Sequence, residues 1–163
     1  MMPDLIEYRA AVAKDEAALA ELWWSMQAEH HEYEPVWYAD KGEEWCKASW
    51  CQHYRQLLQD EQNLVVVAVY AETPVGMIVA QFNSRPPIYT IDRVLTVDST
   101  VVRPDFRRSG VFKGMLSVLE DRARAEGVKV MRLSVHHLND RAVRAYARSG
   151  FVPETTSMIK WIE

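Results

Sequence analysis

A strand-like run ending at Val102 leads directly into Arg103-Pro104-Asp105-Phe106-Arg107-Arg108-Ser109-Gly110-Val111-Phe112, and a helical pattern begins at once. The first turn of a helix leaves backbone N–H groups unpaired, backed by about half a positive charge. That combination makes a phosphate site. Gly110 lets the backbone approach closely or take a conformation closed to other residues, and Arg107 and Arg108 add charge that grips phosphate at two points. Taken alone, an ordinary strand-to-helix loop with solvated arginines has the same features. Downstream, Asn139 and Tyr146 stand two helical turns apart and so share a face. Asn139 is a good N-cap, and Tyr146 reads equally well as a core residue beside Ala142 and Val143.

The elements that must position these residues follow from periodicity. Leu5–Ala10 alternates as a first strand, and Lys14–Glu32 and Glu43–Leu58 carry apolar residues at helical spacing, separated by Pro35. Asn63–Tyr70 is a continuous β-branched run, as expected of a strand buried on both faces. With Val75–Phe82 it predicts a hairpin, and Ile91–Val102 a third long strand. Helix 110–126, strand 128–135, helix 139–148 and two short strands within 151–162 complete the order β-α-α-β-β-β-α-β-α-β-β. The expectation is a single mixed α/β (α+β) domain over residues 1–163.

Composition excludes several classes. The 163 residues are 48% hydrophobic and 26% charged, the balance of a chain that folds around one core. No apolar run reaches the ~18 residues of a membrane span, and Met1-Met2-Pro3-Asp4-Leu5 lacks the basic and apolar regions of a signal peptide. With Cys46 and Cys51 as the only cysteines, a cytoplasmic protein is expected. No metal is expected either: His30-His31 and His136-His137 are sequence neighbours, and Cys46 to Cys51 is not a zinc spacing. The net charge of −4 is unevenly divided. Residues 1–100 hold 7 Lys/Arg against 16 Asp/Glu, and residues 101–163 hold 12 against 7. The basic third suits an anion but contains no nucleic-acid reader motif.

Residues 102–112 resemble the acetyl-coenzyme A signature of the GNAT superfamily of N-acetyltransferases, V-x-P-x-x-R followed by R/Q-x-x-G-x-G/A. Arg107 and Gly110 fill the arginine and central glycine positions. Phe112 departs from the pattern, where Gly or Ala is usual, and either crowds the pyrophosphate or turns into the core. Residues 139–151 resemble the second signature, N-x-x-A-x-x-x-Y-x-x-x-G-F, at every named position. The resemblance covers nearly the whole chain and implies a GNAT-type, mainly antiparallel central sheet flanked by helices.

It further implies an acetyl-coenzyme A-dependent N-acetyltransferase in which a primary amine attacks the thioester directly in a ternary complex. The alternative is a non-catalytic coenzyme A-binding module. The implied cofactor contacts are Val101, Val102, Arg107, Arg108, Ser109, Gly110, Val111, Phe112, Asn139 and Tyr146. A backbone N–H near Val101 or Val102 would serve the oxyanion, and Tyr146 would protonate the departing thiolate. The general base is open among Asp92, Asp98, Glu32, Glu34, His136, His137 and water, as is the acyl length. Trp23, Trp24, Trp37, Trp45 and Trp50, interleaved with carboxylates, suit a cationic amine on a small molecule or peptide. They equally suit a core or a homodimer contact.

Overall fold

The computed structural model describes residues 5–162; the first four residues, on which the absence of a signal peptide was argued, lie outside them. The chain runs β1 (Ile6–Ala10), α1 (Glu16–Tyr33), α2 (Glu43–Leu57), β2 (Asn63–Tyr70), β3 (Thr73–Ser84), β4 (Arg93–Val102), α3 (Val111–Ala125), β5 (Met131–Leu133) and α4 (Asp140–Arg148). The sheet order is β1-β2-β3-β4-β5. The first three pairings are antiparallel and the last is parallel. The mixed α/β fold and the element order through α4 are those expected from the sequence.

Two hydrophobic layers sandwich the sheet. On one face α3 buries Val111, Met115, Leu119 and Ala123 against Val66, Ala68, Ile78, Ala80, Leu95 and Val97. On the other, Leu19 and Leu22 of α1 and Trp50, Tyr54 and Leu57 of α2 cover Val65, Val67, Met77, Val79 and Val101. The β-branched run of β2 supplies both layers, which is why it shows no polar alternation. At Gly114 of α3, an added Cβ would lie 2.2 Å from the Tyr8 ring, so the glycine permits helix and β1 to meet.

β4 changes parity midway. Leu95 and Val97 pack into the α3 layer, whereas Val101 packs beneath α1 and α2. Regular alternation would place all three odd-numbered residues on one face. The register explains the switch: Val79 pairs with Ser99 and Ala80 with Val97, leaving Asp98 as the extra residue of a β-bulge. β5 pairs only with Leu95–Val97, so the two strands part where the bulge begins.

The sequence differs from the structure at its C-terminal end. Strand 128–135 contracts to Met131–Leu133, because Val128 N–H instead bonds Ala123 O at 2.9 Å and closes the end of α3. The two strands expected within 151–162 form no ladder. A three-residue β5 offers little edge to pair with, and no layer covers the segment: Val152, Met158 and Ile162 are 80%, 91% and 92% exposed.

Candidate active site

After β4 the chain makes a short turn (Pro104–Phe106) that buries Phe106 in the α3 layer. Ser109 Oγ donates to Phe106 O at 2.6 Å, and Arg107 Nε donates to Val102 O at 3.0 Å. These bonds fold the loop back on the strand end. Arg108 and Gly110 have φ of +67° and +86°. A non-glycine residue in that region stores strain and persists only where its surroundings hold it. Gly110 opens α3 with no side-chain cap, so the N–H groups of the first turn point outward unpaired. Nothing lies within 4 Å of a Cβ built on Gly110, which leaves the approach open.

Of the residues expected to hold a cofactor here, Val111 is buried and offers its backbone only. Ser109 spends its hydroxyl inside the loop. Arg108 is exposed. Arg107 is engaged by Glu29 of α1, Nη2 to Oε1 at 2.5 Å. The second carboxylate oxygen of Glu29 accepts from Arg141 of α4. Burial pushes the Glu29 carboxyl up, but the bonds from Arg107 and Arg141 outweigh it and hold the group below its usual value. The sequence offers Glu29 only among the carboxylates near the tryptophans and does not single out Arg141; no local pattern marks a contact across such separations.

Beyond the bulge, Arg103 N–H donates to Val75 O at 2.8 Å. Alternation then turns the Val101 N–H toward β3 and the N–H groups of Thr100 and Val102 toward the edge that β5 has left. Thr100 and Val102, rather than Val101, therefore present backbone donors to the opening. That opening is part of a cleft of about 2330 Å³ whose lining includes Glu29, Thr100, Arg107, Phe112, Asn139 and Tyr146.

α4 brings in Tyr146. Its ring meets Phe112 edge-on at 5.5 Å and Phe151 at 5.9 Å. Phe112 thus neither vanishes into the core nor stands free; it is half-buried against the α3 layer and braces the tyrosine. Burial pushes the Tyr146 phenol above its ordinary value, partly offset by the Thr100 hydroxyl. Thr100 Oγ1 itself is buried and makes no hydrogen bond of proper geometry among the described residues. Asn139 caps α4 by accepting from Ala142 N–H at 3.1 Å, which leaves its amide N–H₂ for other partners.

The candidate bases separate. Asp92 and Glu32 do not line the cleft, whereas Glu34, His136 and His137 do. His136 is stacked on Tyr33 at 5.3 Å and on His137 at 4.7 Å. Asp98 lines both the cleft and a second pocket of about 390 Å³ beneath α1 and α2. Partial desolvation pushes its carboxyl up, opposed by nearby His53. Among the described residues no group of three or more His, Cys, Asp or Glu is arranged to hold a metal ion, and no helix is long and apolar enough to cross a membrane.

The uncapped first turn of α3 and the clear approach at Gly110 leave the head of that helix open to an anion. No curated protein matches the sequence significantly. Among solved structures, a tetramutant of the BH1408 protein from Bacillus halodurans superposes with a TM-score of 0.83 at 18% identity, over 96% of this chain and 99% of that one. An aminoglycoside acetyltransferase from an uncultured soil metagenomic sample, in complex with sisomicin, gives 0.71 at 14% identity over 100% of both chains. The aminoglycoside N-acetyltransferase AAC(6')-Iy, in complex with CoA, gives 0.71 at 16% over 97% and 94%. At these identities the likeness establishes the fold. The family model for the acetyltransferase (GNAT) family matches residues 16–151. The chain therefore belongs to the acetyltransferase (GNAT) family.

Proposed function

We propose that the protein transfers an acetyl group from acetyl-coenzyme A to a primary amine, with both substrates held together. The observation that carries this reading is the bulge in β4. It sets Asp98 beside the pocket beneath α1 and α2, and sets Thr100 on the opposite face beside Tyr146. An amine and a thioester can thus be served from the two sides of one strand.

When bound, acetyl-coenzyme A supplies an activated acetyl group. The first turn of α3, with Arg107 and Arg108, holds phosphate; the free amide of Asn139 adds a contact along the cleft. Asp98 takes a proton from the ammonium form of the amine, freeing the lone pair that attacks the acetyl carbon. The N–H groups of Thr100 and Val102 donate to the oxygen on which negative charge develops. Tyr146 gives its proton to the sulfur as the carbon–sulfur bond breaks, and the second amine proton leaves to solvent. Asp98 then gives up its proton and Tyr146 regains one through solvent, so the net products are an amide, a free thiol and one released proton. Holding the nitrogen against the carbonyl carbon supplies much of the acceleration.

The reading is supported by the CoA complex of one structural relative and by the family assignment. It is tested by calorimetric titration with acetyl-coenzyme A followed by amine-dependent release of free thiol. Micromolar binding with thiol release is expected. Binding without release from any amine would favour a non-catalytic coenzyme A-binding module.

A further inference from the structure

The second pocket is chemically unlike the main cleft. Trp23 of α1 and Trp50 of α2 stack at 5.9 Å and 25°, and Trp50 stacks on Tyr54 at 5.2 Å and 17°. Trp50 is 6% exposed, so the stack is fixed by the core beneath it. Trp45, 54% exposed, stands at the pocket's outer side. Val79 contributes carbon from the sheet, and the polar side is made by Asp98, Ser99, Ser49 and His53. Asp98 is the one carboxylate in this lining.

We infer that this pocket is the acceptor subsite and that it selects a primary monoamine carried on a flat or short apolar body. The substrate class rests on the transferase reading above. Tryptophan faces attract a cation and cover apolar surface at the same time. Lys41 Nζ lies 4.3 Å from the Trp45 ring centroid, so one face of that indole is taken and a ligand meets Trp45 on another. A single carboxylate balances a single positive charge. An aminoglycoside, with several ammonium groups and many hydroxyls, would leave most of them unpaired against indole, which is unfavourable. In the main cleft Glu29 cannot help, because two arginines already claim it. A peptide N-terminus would likewise bring backbone N–H and C=O groups to a wall built largely of rings. The volume of about 390 Å³ lies at the small end of ligand sites.

The test uses 2-phenylethylamine, kanamycin and an alanine-led tetrapeptide in the thiol-release assay. It is paired with quenching of tryptophan fluorescence by 2-phenylethylamine alone. The expected result is a kcat/KM for 2-phenylethylamine at least tenfold above the other two, with saturable quenching. Trp45→Ala should raise KM for it about fivefold with kcat little changed, and Trp45→Phe should restore most of the loss. Equal or better use of kanamycin or the tetrapeptide overturns the inference, as does an unchanged KM in Trp45→Ala. Saturable quenching that Trp45→Ala abolishes, with no thiol released from any amine, leaves the monoamine site standing and overturns the transferase reading instead.

Discussion

Glu29 and Arg107 lie 78 residues apart in the chain, and their side chains meet at 2.5 Å in the lining of the cleft. The same carboxylate also holds Arg141. An acid on α1 thereby neutralises two of the arginines facing the loop at which α3 begins. Arg108, Lys113, Arg144 and Arg148 line the same cleft, so it remains basic overall.

Glu29→Gln removes a negative charge from a cleft lined by more cations than anions. Acetyl-coenzyme A should bind about fivefold more tightly at low salt, corresponding to ~1 kcal/mol, and the gain should shrink as salt rises. Calorimetry at two ionic strengths measures both. Weaker binding would mean that Glu29 serves chiefly to aim Arg107.

Tyr146→Phe keeps the ring between Phe112 and Phe151 and deletes only the hydroxyl. Turnover should fall on the order of 100-fold while acetyl-coenzyme A affinity changes little. Steady-state kinetics beside a binding isotherm separates the two effects. Unchanged turnover would take Tyr146 out of the mechanism.

Phe112→Ala addresses the departure from the usual small residue. The edge-on contact with Tyr146 is worth about 1 kcal/mol, so its loss should lower kcat roughly fivefold. Affinity for acetyl-coenzyme A should stay the same or improve. A large drop in affinity with kcat intact would show that the ring contacts the cofactor instead of bracing the tyrosine.

Asp98 should shape the acid side of the rate profile. Partial desolvation raises the carboxyl of this exposed residue above the ordinary aspartate value, with His53 opposing. A base works when deprotonated, so kcat/KM should rise as pH rises through this raised value. Asp98→Asn should abolish that limb and cost on the order of 100-fold in kcat/KM. A profile unaltered by Asp98→Asn would assign the proton to water.

Asp15, 4% exposed, accepts Arg9 at 2.7 and 2.9 Å and the Val12 N–H at 2.9 Å. The Arg9 bond, against the opposing effect of burial, holds its carboxyl below the ordinary value. A lowered folded value contributes stability above the unfolded value near ~3.9, lost as pH falls through the folded one. Asp15→Ala should cost about 2–3 kcal/mol at neutral pH by removing the close partner of Arg9 and leaving it Glu7 at 3.7 Å and the Ala10 carbonyl at 3.0 Å. Urea denaturation should show that difference shrinking below about pH 4.

Nearly all of the element order was legible because its signals are local. The β-branched run of Asn63–Tyr70, the helical stripe of Val111–Ala123 and the cap at Asn139 each declare themselves within a few residues. The loop around Gly110 and the face shared by Asn139 and Tyr146 were legible for the same reason, since helix geometry fixes what spacing implies. The strands expected within 151–162 failed on a non-local ground: alternation says nothing about whether an edge and a covering layer exist.

Tertiary structure alone decided how the site is assembled. Seven candidates for the base were equal on the page of the sequence; the fold brings Asp98, Glu34, His136 and His137 to the cleft, and a one-residue slip between β3 and β4 makes Asp98 the bulge residue. That slip is a property of two paired strands, so neither strand encodes it by itself. It also reversed the parity of β4, put Thr100 beside Tyr146, and turned the Val102 N–H rather than the Val101 N–H toward the cleft. Glu29 met Arg107 and Arg141 only because α1, the loop and α4 converge on one opening. Local pattern thus determined which residues were available for chemistry, and long-range pairing determined which of them face one another.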